Sequence, residues 1–75
     1  MDKITLNIDL RAFWGIGEVF KNGEKIASVH KFYSVTDDWI LIYDEVGGSG
    51  TGYNKGQLLQ KIYIGDCEFQ KIEKY

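Results

Sequence analysis

The chain has 75 residues, 44% of them hydrophobic, with nine glycines, no proline and a formal net charge of −2. That length leaves room for one domain and excludes a Rossmann domain, a TIM barrel or a two-domain enzyme. No apolar run approaches the roughly 18–20 residues that span a bilayer, and the first turns of sequence lack the basic-then-apolar pattern of a secretory signal.

Cys67 is the single cysteine, so no intrachain disulfide can form. An unpaired cysteine fits a reducing compartment, and a cytoplasmic location is expected. Cys67 itself reads as a small buried hydrophobe. Two tryptophans, five tyrosines and four phenylalanines are a large apolar supply for so short a chain. A chain of this size without disulfide or metal either packs that supply well or shares a core with a second copy, so a homodimer is expected.

The dominant signal is alternation of period two, the mark of strands. In the first segment Ile4, Leu6, Ile8 and Leu10 point one way, and Thr5, Asn7 and Asp9 the other. The next unit is a hairpin about Asn22-Gly23, a pair that tolerates the positive φ of a type I′ turn. That turn sets Lys21 against Glu24, Val19 against Ile26, Ile16 against Val29 and Phe13 against Phe32. In this register both faces of the hairpin are apolar, which predicts that both are covered. Gly15 and Gly17 mark a bend, a bulge or a close backbone approach.

Thr36, Asp37 and Asp38 suit a turn. A buried strand follows, with Trp39, Leu41 and Tyr43 on one side and Ile40, Ile42 and Val46 on the other. Residues 47–56 hold five glycines and read as a flexible loop. The last unit reads as a hairpin over Gly65-Asp66, a type II′ candidate that sets Ile64 against Cys67, Ile62 against Phe69 and Leu59 against Ile72. The competing reading is a helical turn or two near 56–63, with Leu58, Leu59 and Ile62 on one face. The whole predicts an all-β domain spanning 1–75. It has about six short antiparallel strands, mostly up-and-down, curled into a small barrel or sandwich.

The candidate chemistry is sparse. The glycine segment fails the phosphate-loop pattern, because Tyr53 stands where the lysine must be and no Ser or Thr follows. Asp37, Asp38, Asp44 and Glu45 lack calcium-loop spacing and read as solvated turn carboxylates or an acidic patch. His30 has no partner at a recognisable spacing, and one His with one Cys cannot complete a zinc site. No catalytic, cofactor-binding or metal-binding residue is assigned.

The aromatics carry the functional reading, because Trp and Tyr dominate interface hot spots. The chain is expected to be a non-catalytic protein-binding module, an intracellular regulator or inhibitor of the kind common among small phage and mobile-element products. Its partner surface is expected on Trp14, Tyr33, Trp39, Tyr43 and Tyr53, with Asp37 and Asp38. A single-stranded nucleic-acid binder on a small barrel is the alternative, disfavoured by the missing basic stripe. A small-molecule carrier ranks lower, because a barrel this small fills itself with side chains.

Overall fold

The computed structural model describes residues 1–11, 16–30, 32–48 and 52–75. Seven strands are found among them: β1 (Lys3–Asp9), β2 (Gly17–Lys21), β3 (Glu24–Val29), β4 (Tyr33–Val35), β5 (Trp39–Gly48), β6 (Gly52–Tyr63) and β7 (Glu68–Lys74). They form two sheets, of order β3-β2-β1-β7 and β4-β5-β6. The fold is all-β, as the alternation predicts, and its two sheets are compatible with a sandwich; no closed barrel is found among the described residues.

The first strand behaves as its sequence says. Ile4, Leu6 and Ile8 are buried, and Thr5 and Asn7 face outward. Leu10 lies past the strand end and is exposed, its N–H donating to the Lys74 carbonyl at 2.7 Å. The Asn22-Gly23 turn forms with φ of 52° and 87°, both in the left-handed region that type I′ demands. Asn22 also fastens the turn to the start of β1. Its side-chain oxygen accepts the Lys3 N–H at 2.9 Å, and its amide donates to Asp2 Oδ1 at 3.1 Å.

Lys21 faces Glu24 as expected, but the register then slips. A bulge between Val19 and Phe20 sets Val19 against Ala27 and Gly17 against Val29. A one-residue slip moves side chains to the opposite face. Here it gathers Val19, Ala27 and Val29 on the inner face and leaves Ile26 40% exposed. The Val19–Ile26 pairing expected from the turn is thus replaced by Val19–Ala27, while Phe20, next to Val19 in β2, stays on the opposite face. The Phe13–Phe32 pairing falls outside the described residues, as do Trp14 and Gly15.

The expected third strand divides. β3 stays in the first sheet, and the chain crosses to the second to form β4, giving seven strands in place of six. Thr36 closes the β4–β5 turn: its N–H donates to the Trp39 carbonyl at 2.8 Å, and its Oγ1 accepts the Trp39 N–H at 3.0 Å.

Three expectations for the second half change. Residues 56–63 are strand, so the helical alternative does not hold. The glycine segment is largely ladder: Glu45 faces Lys55, Val46 faces Asn54, Gly47 faces Tyr53 and Gly48 faces Gly52, with residues 49–51 outside the description. The last two strands do not pair with each other. Gly65 is not among the positive-φ residues, so the turn is not type II′. Its Ile64 carbonyl accepts the Cys67 N–H at 3.1 Å, and the chain then leaves one sheet for the other. β7 runs parallel to β1, from Lys3 opposite Glu68 to Asp9 opposite Lys74.

The core between the sheets is aliphatic: Ile4, Leu6, Ile8, Val19, Val29, Ile40, Ile42, Ile62 and Ile64. Burying each such side chain contributes ~1.5–3 kcal/mol. Tyr33, Cys67 and Phe69 pack against its rim, so Cys67 is half-buried where full burial was expected. Between Tyr43 and Lys61 the β5–β6 hairpin contributes no described side chain to this core. It extends as an arm, and Val46, expected inside, is 51% exposed there. The molecule measures 46 × 26 × 18 Å with a radius of gyration of 12.9 Å, against about 11 Å for a compact chain of this length.

Candidate functional site

The site is built on the outer face of the β4-β5-β6 sheet. Because Ile40 and Ile42 turn inward, Trp39, Leu41 and Tyr43 must turn outward. The antiparallel register brings Tyr63 opposite Trp39, Lys61 opposite Leu41 and Leu58 opposite Tyr43. Trp39 and Tyr63 meet edge to face, with centroids 5.0 Å apart and planes at 69°, worth ~0.5–1.5 kcal/mol beyond area burial. The Lys61 ammonium sits 4.4 Å over the Trp39 ring, and that of Lys55 sits 4.6 Å over Tyr43. Each exposed cation–π contact of this kind contributes ~0.5–1 kcal/mol. Leu58 and Leu59 are exposed beside them, Leu59 to 62%.

One end of the platform is fixed by backbone. A Cβ at Gly65 would run into the Tyr63 hydroxyl and stand 2.8 Å from Asp38 Oδ1. The bare glycine therefore lets the Tyr63 ring lie across the Gly65–Asp66 turn, beside the β4–β5 turn. The Asp38 carbonyl ties the two turns by accepting the Ile64 N–H at 2.7 Å. The negative charge of Asp66, then burial, then the charges of Asp38 and Cys67 hold the Tyr63 phenol above its ordinary pKa. It stays a neutral donor at physiological pH. The Cys67 thiol donates to the Tyr63 carbonyl at 3.8 Å.

Of the expected partner residues, Trp39 and Tyr43 lie on this face, and Asp37 and Asp38 are exposed in the turn at its end. Tyr33 does not join them. It pairs with Ile42, shares that residue's inward face, and carries the Lys71 ammonium 5.5 Å from its ring. Tyr53 pairs through its backbone with Gly47 toward the tip of the arm, its side chain outside the description. Trp14 also lies outside it. The sequence reading did not place Lys55, Lys61, Leu59 or Tyr63 on the partner surface. The signal for them was cross-strand position relative to Trp39 and Tyr43, which becomes visible only once β6 is paired with β5.

Two clefts flank the sheets. One of about 460 Å³ runs between the β6 edge, at Lys61, Ile62 and Tyr63, and Ile4, Lys21 and Ile26 of the other sheet. The other, about 440 Å³, lies on the outer face of the four-stranded sheet. Four of its charges are paired, Arg11 with Asp9 at 3.3 Å and Lys25 with Glu18 at 3.2 Å, and Lys74 also lines it. Asn7 Oδ1 is buried there without a hydrogen-bond partner among the described residues. Among those residues no group of three His, Cys, Asp or Glu side chains could hold a metal ion, and no helix is long and apolar enough to cross a membrane. No family model, curated protein or solved structure matches the chain.

Proposed function

We propose that the chain is a non-catalytic protein-binding module that acts in the cytoplasm as a regulator or inhibitor of its partner. The observation that supports this reading is the gathering of Trp39, Tyr43 and Tyr63, with Lys55 and Lys61, on one solvent-facing sheet surface. Rigid rings supply contact area at little cost in side-chain entropy. Lysines held over those rings supply charge at defined positions, and Leu58 and Leu59 extend the apolar area.

Rings interleaved with lysines also form stacking platforms for single-stranded nucleic acid. Asp37 and Asp38 at one end of this face, and Asp44 and Glu45 along β5, oppose a phosphate backbone and favour the protein reading. The test is recovery of a partner from lysate of cells expressing the chain, comparing wild type with a Trp39→Ala/Tyr43→Ala variant that remains folded. A protein recovered by the first and lost by the second is expected. Recovery by both, or retention on oligonucleotides that falls steeply with salt, overturns the proposal.

A further inference from the structure

We infer that the free edge of β6 is a strand-addition site, taking an extended segment of the partner that alternates apolar and acidic residues. This rests on the protein-binding reading and names how the partner is held.

The four sheet edges are unlike one another. β4 is three residues long, too short to template much pairing. β7 places Lys71 and Glu73 on the same face as Leu6 and Ile8, joined at 3.0 Å, and inward-pointing charges guard an edge. β3 is kinked by the bulge opposite Val19 and Phe20. β6 is twelve residues long and, among the described residues, pairs with β5 alone.

The direction of its free groups follows from one hydrogen bond. The Ile64 N–H donates across to the Asp38 carbonyl. Backbone groups alternate sides along a strand, so Ile62 and Gln60 also bond toward β5. Lys61 turns its N–H and carbonyl away from it, toward the open edge, and Tyr63 its N–H, while the Tyr63 carbonyl on that side takes the Cys67 thiol.

A place for the added side chains is already present. The crevice of about 460 Å³ follows this edge, with Ile62 and Ile4 in it and Ile26 40% exposed across it. Four strands face three, and Lys71 over Tyr33 sets β7 against β4. The shortfall therefore falls on the β6 side, where an added strand would turn every second side chain into the crevice and cover Ile26.

Charge selects the occupant. Between Gly52 and Tyr63 the strand carries Lys55 and Lys61 and no carboxylate. A second copy paired edge to edge would bring four lysines to one seam, and like charges across a pair are unfavourable. A segment with carboxylates on its outer face meets Lys61 and Lys55, and its apolar side chains enter the crevice.

The probe is a synthetic peptide of four valine–glutamate repeats, followed by residue-resolved amide exchange and by Trp fluorescence. Saturating peptide is expected to slow exchange at Lys61 and Tyr63 by about tenfold or more, with Ile62 little changed. Methylating alternate peptide nitrogens, or replacing glutamate by lysine, is expected to weaken binding by about tenfold or more. Lys61→Pro removes an edge N–H without breaking a β5 bond and is expected to abolish the effect. Lys61→Ala keeps the N–H and is expected to weaken binding only a few-fold. Unchanged exchange at Lys61 and Tyr63, or equal binding by the methylated peptide, overturns strand addition whether or not Lys61→Pro folds. Slow exchange at these amides in the free protein, deepening with concentration as the mass doubles, also overturns it in favour of a second copy. Should Trp39→Ala abolish partner recovery while these amides stay fast, strand addition alone fails. Should only oligonucleotides bind, the protein-binding reading fails with it.

Discussion

Replacing Gly17 by alanine puts the sandwich geometry under a quantitative test. Glycine inside a strand is ordinarily a weakness, and alanine there should gain about 0.5–1 kcal/mol through the unfolded chain. Gly17 has no positive φ to protect, so conformation gives no reason to keep it. Packing does. A Cβ at this position would overlap Ile8 Cδ1 and stand 2.6 Å from Val29 Cγ2 and 2.7 Å from the Asn7 carbonyl oxygen. The two side chains can rotate, but the carbonyl belongs to β1, which pairs with β2 at this point, and cannot yield without loosening the ladder. Overpacking of this kind costs about 1–3 kcal/mol, and a backbone obstacle places it in the upper part of that range. The net expectation is a loss of about 1.5–2 kcal/mol. For a domain of this size that lowers Tm by roughly 6–16 °C, measured by circular dichroism or calorimetry. A variant as stable as wild type would refute the close approach of β2 to β1 and β3. Gly23→Ala is the contrasting case. Nothing lies within 4 Å of its Cβ, but φ is +87°, so the expected cost of about 1–2 kcal/mol is conformational.

Other expectations follow from individual contacts. Asn22→Gly keeps the turn's φ but removes the side-chain bonds to Lys3 and Asp2, for an expected loss of about 1 kcal/mol in chemical denaturation. Asn22, then Lys21, hold the Asp2 carboxyl below its ordinary value. The stability linked to Asp2 is therefore present above the usual carboxylate range and lost as pH falls through the lowered folded pKa; Asn22→Gly should return the NMR-titrated pKa toward normal and shrink that acid loss. Tyr63 has the opposite sign. Its raised pKa gives stability that is present below the ordinary phenol value and lost as pH rises through the folded one. Asp66→Asn should lower the phenolate midpoint followed by ultraviolet absorbance, and an unchanged midpoint would remove Asp66 as the main cause. Asn7→Val replaces a buried acceptor without a partner among the described residues by a strand-favouring apolar group; a gain of about 1 kcal/mol in thermal unfolding is expected.

Local features were legible in the sequence where one residue or one period carries them. Ile4, Leu6 and Ile8 announce the inner face of β1 by alternation alone, and Asn22-Gly23 announces its turn because few other pairs tolerate two positive φ angles. Partner choice was less legible, because alternation marks a residue as strand without saying which strand it meets. Isoleucines at 62 and 64 serve a hairpin with β7 as readily as a ladder with β5. What decided between them was the turn at Gly65, whose backbone carries the chain between sheets, and the long-range parallel pairing of β7 with β1. The bulge at Val19 was hidden for a related reason: Ile26 and Ala27 are both apolar, so either register buries something. The glycines of 47–56 suggested a loop by composition, yet ladder pairing continues through Gly47 and Gly48 to Gly52. The candidate site inherits these limits. Trp39 and Tyr43 are visible as alternate residues of one strand, whereas Lys61, Tyr63 and Lys55 join them only through the β5–β6 register.

The long arm carries an energetic implication. A two-stranded ribbon is marginally stable alone in water, and this one exposes Val46, Leu58 and Leu59. Cross-strand pairs such as Glu45 with Lys55, and the lysines over Tyr43 and Trp39, supply local support of tenths of a kcal/mol to about 1 kcal/mol each. A partner strand along β6 would turn the ribbon into a three-stranded sheet, so binding and ordering of the arm are expected to be coupled.

The central claim is that β6 is an edge, paired on one side and open on the other. Residue-resolved amide exchange on the free protein reads it most directly. Gln60, Ile62 and Ile64 should exchange slowly through their bonds to β5, while Lys61 and Tyr63, between them in sequence, exchange fast. Lys61 and Tyr63 amides as slow as that of Ile62 at dilute concentration would mean that another strand already covers the edge, contradicting the account.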